Sequence, residues 1–322
     1  MRSGALSASA ASGLGIALFS SAAFGVSGPF AKSMLESGWS PGGAVSLRLL
    51  GGAVVLALPA WLAARRHRAA VRRHWGRVAG FGLVAMAVCQ LCYFNAVAHL
   101  SVGVALLLEY LAPVLLVGWM WLRGGRRPRV LTVAGTVLAV AGLLLVLDLA
   151  GGTRVSLEGV LWGIGAALCL SFYFVVSAST DDGVPPVLMA GGGMAVGAVV
   201  MFAAGAAGLT PMRYSTADAT VAGATVPWFV PLAGLVLFAT ALSYVTGVMA
   251  ARSLGSKVAS FVSLTEVMFA VVFAWLLLGE LPAPVQLLGG LLIIAGVVLV
   301  RLDEVRAEPV PLVAPAVAEP VP

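Results

Sequence analysis

Ten long apolar stretches, separated by short polar, glycine-containing or proline-containing breaks, constrain the fold of this chain more than any other feature. The hydrocarbon core of a bilayer is about 30 Å thick, and a helix of about 20 apolar residues crosses it. Each stretch has about that length, so the sequence predicts an all-α integral membrane protein with ten transmembrane helices. The predicted helices span residues 12–31, 41–63, 77–98, 101–122, 129–147, 158–179, 186–208, 226–250, 255–278 and 283–301.

The composition excludes the common classes of soluble protein. Hydrophobic residues make up 61% of the 322 residues and charged residues 10%, against about 45–50% and about 25% in an ordinary soluble domain. We therefore expect neither a soluble enzyme nor a nucleic-acid-binding protein. Cys89, Cys92 and Cys169 lie inside apolar stretches, so they predict neither a disulfide framework nor a zinc-type cluster. The sequence has no Gly-x-x-x-x-Gly-Lys loop and no cluster of histidine with carboxylates, so we expect no ATP hydrolysis, cofactor, metal or enzymatic activity.

The basic residues predict the orientation of the chain in the membrane. With the N-terminus in the cytoplasm, 15 of the 19 lysines and arginines fall in cytoplasmic segments and one, Arg48, falls within a helix. Only Lys32, Arg154 and Arg213 fall in outer segments. This bias follows the positive-inside rule. We therefore predict a multi-pass protein of the cytoplasmic membrane with both termini in the cytoplasm, and a disordered cytoplasmic tail at 307–322.

Two pairs of glycines indicate that the second half of the chain is an approximate copy of the first. At an offset of 154 residues, Gly135 and Gly142 align with Gly289 and Gly296. The glycines of each pair are seven residues apart and therefore share one helix face, where small residues let helices approach closely. Chance in a chain rich in alanine, glycine and valine is the alternative explanation.

Five helices in each half, over residues 12–147 and 158–301, require the two halves to be inverted relative to each other in the membrane. The basic segment Arg65–Arg77, predicted inside, corresponds to roughly 209–225, predicted outside, which keeps only Arg213. The second copy has thus lost positive charge where inversion requires it. Inverted repeats are common in secondary transporters, in which the substrate site lies near the midplane between the halves.

With these features, the chain resembles the EamA-type members of the drug/metabolite transporter superfamily over residues 14 to 301. The resemblance is carried by Ala96 to Val146, with Leu111-Ala112-Pro113-Val114 and Gly142, and by Ser253 to Val300, with Ser263-Leu264-Thr265-Glu266-Val267, Leu278-Gly279-Glu280 and Gly296. It implies a fold of two inverted five-helix repeats and a transport function. Cargoes in the family range from amino acids and other metabolites to drugs, so the resemblance says little about the cargo.

The two halves differ at two of these positions. At an offset of 153 residues, the first half has Arg126-Arg127 where the second has Gly279-Glu280. The first half has Pro113 where the second has Glu266. The family motif that ends in glycine and glutamate is therefore present in one half only.

Arg48, Glu109 and Glu266 lie deep inside predicted helices and are the candidates for substrate binding or proton coupling. At about 1.5 Å per residue, Arg48 and Glu109 both lie about 10–12 Å below the outer helix ends, a depth at which they could pair. A charge at the bilayer centre costs about 2.5–3.5 kcal/mol on insertion scales, so each needs a partner, a cavity or water. Glu109 therefore has two interpretations: an ion pair with Arg48 that fixes packing, or a carboxylate that takes up a proton or binds a cationic group of the substrate.

Glu266 has no obvious cationic partner at its depth, which suits a proton-exchanging site and a neutral hydrogen-bonding residue equally. Aromatic and amide side chains elsewhere in the helices are candidates to line a cavity, with core packing as the alternative for each. These candidates are Tyr93, Asn95, Tyr110, Tyr173 and Tyr244.

Together these features predict a secondary transporter that moves a small metabolite across the cytoplasmic membrane by alternating access. We expect export of an amino acid or a related compound, by facilitated or proton-linked transport, with Glu109 or Glu266 exchanging the proton. Drug efflux or metabolite uptake by the same fold, and a channel, receptor or assembly factor, are the alternatives. The expected partners are the lipid bilayer, a small-molecule substrate and protons, and the sequence leaves a homodimer open.

Overall fold

The fold consists almost entirely of helices. The computed structural model describes residues 2–112, 130–146, 156–177, 183–281 and 283–306. The helices are α1 (Arg2–Gly25), α2 (Ser27–Glu36), α3 (Pro41–Arg66), α4 (Arg68–Gly80), α5 (Cys89–His99), α6 (Val102–Glu109), α7 (Val130–Val146), α8 (Leu157–Ser177), α9 (Pro186–Ala206), α10 (Phe229–Val236), α11 (Ser243–Ser263), α12 (Thr265–Leu278) and α13 (Pro284–Arg306). Two π-helical segments, Phe81–Val88 and Leu237–Leu242, join α4 to α5 and α10 to α11, and strands β1 (Ala219–Val221) and β2 (Ala224–Val226) form a hairpin. The end of the fourth predicted helix, Arg126-Arg127 and the predicted tail 307–322 lie outside the described residues.

The predicted membrane fold is confirmed by the length and composition of the helices. Within the described ranges, the stretches long and apolar enough to cross a membrane are Gly13–Glu36, Pro41–Arg66, Arg68–His99, Pro186–Ala206 and Phe229–Leu254. Shorter apolar helices cover Val130–Leu145, Leu157–Tyr173, Thr265–Leu278 and Leu287–Leu299. Many large apolar side chains on these helices are exposed, which is expected for a surface that faces lipid.

The first transmembrane segment is bent, because α1 ends at Gly25 and α2 begins at Ser27. Pro29 has no backbone N–H to donate to the carbonyl of Gly25, four residues earlier, so the helical hydrogen-bond ladder is interrupted at this point. The bend leaves Ser27 buried in the interior of the bundle.

The fourth helix of each half is interrupted, although the sequence predicted continuous helices over 101–122 and 255–278. α6 ends at Glu109, and a turn follows at Tyr110. In the second half, α11 ends at Ser263 and α12 begins at Thr265. Interrupted helices at membrane depth are tolerated where their free backbone groups face protein or an aqueous cavity, and transporters use them at substrate sites.

α11 folds back on itself between its ends. Ser20 Oγ donates to the Ser243 carbonyl over 2.9 Å, and Ser21 Oγ donates to the Val262 carbonyl over 3.4 Å. In a straight helix these two carbonyls would be about 28 Å apart, which neighbouring serines cannot span. The chain therefore reverses within α11, in agreement with the predicted break between 250 and 255.

Helices α7 and α13 pack against each other through glycines, in antiparallel directions. A Cβ atom at Gly142 would lie 2.5 Å from the Gly289 carbonyl oxygen, and one at Gly296 would collide with the Gly135 carbonyl. Residue numbers thus rise along one helix as they fall along the other. The predicted close approach of these helices is confirmed, and so is the inverted relation of the two halves. We refer to this contact as the glycine seam.

Other packing contacts that one half makes with the other have counterparts in which the two halves exchange roles. α5 and α6, of the first half, pack on α8, the first helix of the second half. α11 and α12, of the second half, pack on α1, the first helix of the first half. α3 packs on its own counterpart, α9. This reciprocity is the contact pattern of an inverted repeat, whose pseudo-twofold axis lies in the membrane plane.

A π-helical segment lies within the third helix of each half. An offset of 153 residues carries Phe81–Val88 onto 234–241, which overlaps the second segment, Leu237–Leu242. π-turns are rare and are often found at functional sites, because the wider turn shifts side chains and backbone carbonyls out of the regular helical register.

The β-hairpin covers one end of the bundle. Its turn, at Ala222 and Gly223, has two successive positive φ angles of 53° and 74°, as in a type I′ connection. Ser33 Oγ donates to the Thr220 carbonyl over 2.8 Å, and Ala222 N–H donates to the Leu277 carbonyl over 2.7 Å. The hairpin thereby connects α2 with α12 at the end of the bundle that the sequence predicts to face outward.

An ion pair lies at the same end. Gly279, with φ at +72°, ends α12 in the left-handed conformation that favours glycine. The next residue, Glu280, pairs with Lys32, and its other oxygen accepts the Val102 N–H over 3.4 Å. The Gly-Glu motif of the second half is therefore in contact with α2 and α6 of the first half.

Candidate functional site

A cavity lies between the two halves. Its walls come from α1, α2, α3, α5, α6, α8, α11 and α12 and from the π-helical segment before α5. The sequence-predicted candidates that line it are Arg48, Tyr93, Glu109, Tyr110, Tyr173, Tyr244 and Glu266. The structure thus brings the three deep charges together with four of the five predicted lining residues.

Arg48 is completely buried, and four hydrogen bonds hold its guanidinium group. Nε donates to Thr240 Oγ1 over 2.6 Å, and Nη1 donates to Ser27 Oγ over 2.8 Å and to Gln90 Oε1 over 2.6 Å. Nη2 donates to the Ala239 carbonyl over 2.6 Å. These partners belong to both halves, so Arg48 connects the halves at membrane depth.

The π-helical segment Leu237–Leu242 provides two of these acceptors. Thr240 Oγ1 also donates to the Leu235 carbonyl over 2.6 Å, five residues earlier, so the side chain that accepts from Arg48 is itself fixed. Phe94, in α5 of the first half, places its ring centroid 5.5 Å from the guanidinium carbon, within range of a cation–π interaction.

Arg48 and Glu109 do not form the ion pair that their shared depth allowed. In the part of the chain that the structure describes, no carboxylate oxygen lies within 4 Å of the Arg48 guanidinium nitrogens. All four hydrogen-bond partners of Arg48 are neutral groups. The positive charge of Arg48 is therefore solvated by dipoles, and no counter-ion from the described ranges contacts it.

Glu109 is buried at the C-terminal end of α6. The Cys89 thiol lies 3.5 Å from its Oε1, in position to donate, and is also 3.7 Å from the Ala166 carbonyl. A thiol is a weak donor, whereas a carboxylate can accept about four hydrogen bonds. Among the described residues, most of the acceptor capacity of Glu109 is therefore unused.

Glu266 lies in the first turn of α12, where the helix dipole favours a negative charge. The Tyr110 hydroxyl donates to its Oε2 over 2.8 Å. Tyr110 directly follows α6, so this hydrogen bond joins the two interrupted helices and, with them, the two halves.

Aromatic rings form a continuous group along the cavity. The Tyr244 ring packs edge-on against Phe24, with centroids 4.8 Å apart, and against Tyr173 at 5.8 Å. Tyr173 in turn lies 5.7 Å from Phe81. The two edge-to-face contacts of Tyr244 hold its ring in a fixed orientation, so its hydroxyl group has a defined position.

Gln90 and Asn95 have different surroundings, although both are polar residues of the same helix. Gln90 Nε2 donates to the Tyr244 hydroxyl over 2.6 Å, across helices. Asn95 Nδ2 donates to the Leu91 carbonyl of its own helix over 2.7 Å, and Asn95 is not among the residues that line the cavity. Five residues correspond to about 140° around a helix, which directs Asn95 away from the face that Gln90 occupies.

Small polar side chains in the cavity were missed by the sequence reasoning. Ser20, Ser21 and Ser27 of the first transmembrane segment and Ser263 of the ninth line the cavity. Ser20 and Ser27 are seven residues apart and therefore share a helix face. Serines at this spacing in an apolar helix are the signal that would have identified them.

The cavity offers one cation, two carboxylates and four tyrosine hydroxyl groups beside apolar side chains. Such a mixture suits a small polar molecule that carries charges of both signs. Within the described residues, no three His, Cys, Asp or Glu side chains lie close enough together to hold a metal ion.

Known proteins similar to this chain are transporters. The sequence pattern of the EamA-like transporter family matches residues 11–148 and 157–302. The chain is 30% identical over 273 residues to the probable terminal-alkyne amino-acid exporter of Streptantibioticus cattleyicolor, which covers 82% of this chain and 85% of that protein. It is 24% identical over 230 residues to the uncharacterized inner membrane transporter YicL of Salmonella typhimurium, covering 70% and 73% of the two chains. One crystal structure matches with a TM-score of 0.58 over 92% of this chain and 99% of that chain, and at 21% identity this likeness supports the fold alone.

Proposed function

Since the chain belongs to the EamA-like transporter family and is a membrane transporter, we propose that it exports an amino acid or a closely related compound across the cytoplasmic membrane. The observation that carries this proposal is the set of charges around the cavity. Arg48 supplies one positive charge, and Glu109 and Glu266 supply two carboxylates. A zwitterion has the two groups that complement them.

Charge complementarity matters here because the cavity lies at membrane depth. Uncompensated charges are costly in a low-dielectric region, so a cargo that matches them binds more favourably than one that does not. The α-carboxylate of an amino acid is attracted by Arg48, whose charge has no counter-ion among the described residues. The ammonium group is attracted by Glu109 and Glu266, whose acceptor capacity is only partly used by the described residues. The relative described as an amino-acid exporter supports the same cargo class and direction.

We propose that Glu109 or Glu266 couples cargo movement to a proton. A carboxylate can bind a proton or the ammonium group of the cargo, and the two compete for the same oxygen atoms. When the cargo leaves toward the outside, a proton takes its place, and the neutral site returns to face the cytoplasm. This competition is sufficient to make one flux depend on the other.

Alternating access in this scheme is a rocking of the two five-helix halves, 12–147 and 158–301, about the cavity. The glycine seam joins backbone to backbone and needs no side-chain rearrangement, so we assign it to the part that stays together. The interrupted helices, joined by the bond from Tyr110 to Glu266, are assigned to the part that moves. We place both termini in the cytoplasm and the β-hairpin outside. Reporter fusions at the C-terminus and in the hairpin test this orientation, because a reversed protein would give an outside signal at the C-terminus and a cytoplasmic signal in the hairpin.

The proposal is tested by measuring amino acids in the medium of cells that make the protein. Wild type, Glu109→Gln and Glu266→Gln are compared at equal abundance in the membrane, by mass spectrometry over time and at several external pH values. Glu36→Gln is the matched control, because Glu36 is an exposed carboxylate at the end of α2, away from the cavity. We expect one class of amino acid to accumulate outside with wild type and Glu36→Gln, and much less with the two cavity variants.

The possible outcomes separate the parts of the proposal. If no amino acid differs between cells with and without wild-type protein, amino-acid export is wrong. Accumulation inside the cells would instead indicate uptake. A Glu109→Gln protein that transports at the full rate, with an unchanged pH dependence, would exclude Glu109 from proton coupling, and the same holds for Glu266.

A further inference from the structure

The direction of the hydrogen bonds between Arg48, Gln90 and Tyr244 follows from chemistry alone. Arginine has five N–H donors and no acceptor, so the Gln90 atom that faces Arg48 must be the carbonyl oxygen. The amide nitrogen of Gln90 then faces Tyr244 and has only hydrogens to offer. Tyr244 is therefore the acceptor in this bond, and its own hydroxyl hydrogen is not used in it.

The hydroxyl hydrogen of Tyr244 has no acceptor in the part of the chain that the structure describes. Tyr244 is only 3% exposed, and it lines the cavity. Its ring is held by Phe24 on one side and Tyr173 on the other, so the hydroxyl group cannot swing away to find another partner. A buried donor without an acceptor is costly, and the cavity is the place from which an acceptor can come.

The positive charge of Arg48 strengthens this donor. Each member of the chain from Arg48 through Gln90 to Tyr244 donates to the next, over 2.6 Å in both steps. Hydrogen bonds in such a chain polarise one another, so a hydroxyl that accepts at one end becomes a better donor. The acceptor that gains most from a strengthened donor next to a buried cation is an anion.

We propose that the Tyr244 hydroxyl donates a hydrogen bond to a carboxylate of the cargo, and that Gln90 is the positioning residue that sets the direction of this bond. Arg48 is completely buried and is held by its hydrogen bonds, so it contributes a positive electrostatic potential at the Tyr244 hydroxyl without contacting the carboxylate itself. The site therefore takes carboxylate-bearing molecules in preference to their amides or amines. This inference takes its cargo class from the proposed function, whereas the carboxylate site itself stands on the geometry of the three residues.

The experiment measures binding to the purified full-length protein in detergent, from the concentration dependence of its thermal unfolding. The probes are L-leucine and L-leucinamide, which differ only in the carboxylate, and butyrate and butyramide, which lack the ammonium group. Wild type is compared with Tyr244→Phe and with Gln90→Glu. The carboxylate of the second variant accepts from both Arg48 and Tyr244, and so it reverses the bond and consumes the Tyr244 hydrogen. Tyr214→Phe is the control, because Tyr214 is an exposed tyrosine near Ser46 and outside the cavity.

We expect wild type and Tyr214→Phe to bind L-leucine more tightly than L-leucinamide. Tyr244→Phe and Gln90→Glu should weaken L-leucine binding by about 10- to 100-fold, the usual worth of a hydrogen bond to a charged group, and L-leucinamide binding by much less. A Tyr244→Phe protein that keeps the full preference for L-leucine would overturn the inference, as would an equal loss for both probes. Gln90→Glu provides the same decision if Tyr244→Phe does not fold.

The butyrate pair separates this inference from the proposed function. If wild type binds neither leucine probe but prefers butyrate over butyramide, and Tyr244→Phe removes that preference, the amino-acid cargo is wrong and the carboxylate site is supported. If wild type shows no preference in either pair of probes, the carboxylate site is wrong.

Discussion

Arg48 and the two cavity glutamates are all charges at membrane depth, but their surroundings differ. Arg48 donates four hydrogen bonds of 2.6–2.8 Å to groups from both halves. Among the described residues, Glu109 accepts one weak bond from a thiol, and Glu266 accepts one bond from Tyr110. Within the same ranges, four of the five N–H donors of Arg48 are used, whereas each glutamate accepts far fewer hydrogen bonds than it could. This difference distinguishes a charge that the fold holds in place from charges that have room for another partner.

In the proposed scheme, depth in the membrane is therefore not enough to identify a residue that contacts the cargo. A side chain whose hydrogen-bond partners are supplied by the protein loses them if it moves, so it contributes to folding, and in the proposed transport scheme it acts on the cargo through its electrostatic field. A carboxylate with spare lone pairs can gain a proton or an ammonium group without losing anything. Stability measurements should therefore separate the two kinds of charge.

The largest effect is expected for Arg48→Met. The substitution removes four hydrogen bonds and leaves the Gln90 and Ala239 oxygens buried without their donors. Each such group costs about 1–3 kcal/mol, so the free energy of unfolding should fall by about 3 kcal/mol or more. Thermal unfolding in detergent and abundance in the membrane measure the loss. A variant as stable as wild type would show that the network around Arg48 does not contribute to folding.

A smaller effect is expected for Thr240→Val, which has almost the same shape. It removes one acceptor from Arg48 and the bond from Thr240 to the Leu235 carbonyl, and should cost about 1–3 kcal/mol. Thr240→Ser keeps the hydroxyl and is the matched control, with an expected loss of less than about 1 kcal/mol. Equal losses for the two variants would assign the effect to packing of the missing methyl group and not to the hydroxyl.

The smallest effect on stability is expected for Glu109→Gln and Glu266→Gln. Glutamine keeps an oxygen that can accept from Cys89 or Tyr110, so the free energy of unfolding should change by less than about 1 kcal/mol. Transport should nevertheless fall by about tenfold or more, because glutamine neither carries a negative charge nor exchanges a proton. A loss of stability as large as that of Arg48→Met would remove the distinction between the two kinds of charge.

The transmembrane segments and the glycine seam were predictable because they depend on local periodicity. A glycine every seven residues marks one helix face whatever that face packs against, and Gly142 and Gly296 lie where this pattern placed them. That Arg48, Glu109 and Glu266 lie well inside the predicted transmembrane segments, where they line one cavity, was predictable for the same reason, since it requires only a count of residues from the segment ends.

The partners of those charges were not predictable in the same way. Arg48 meets Gln90 and Thr240, which are 42 and 192 residues away in the sequence, and only the packing of helices brings them together. The sequence therefore allowed a pair between Arg48 and Glu109 that the structure does not make. The π-helical segments and the interruption after Ser263 also depend on tertiary contacts, because no proline or glycine marks them in the second half.

The reciprocal glycine seam has a consequence for one half of the chain taken alone. If five such helices packed in this way on an identical copy, that copy would have the inverted topology. The same polypeptide would then have to insert into the bilayer in two opposite orientations. Loop charges normally favour a single orientation in the membrane. Two copies of an isolated half could therefore form the glycine seam only if their loop charges favoured neither orientation. Covalent fusion removes this conflict, because each half then carries its own charges: Arg65–Arg77 in one and little more than Arg213 at the corresponding place in the other. Divergence of the loop charges between the halves therefore allows each half to have its own orientation in the membrane.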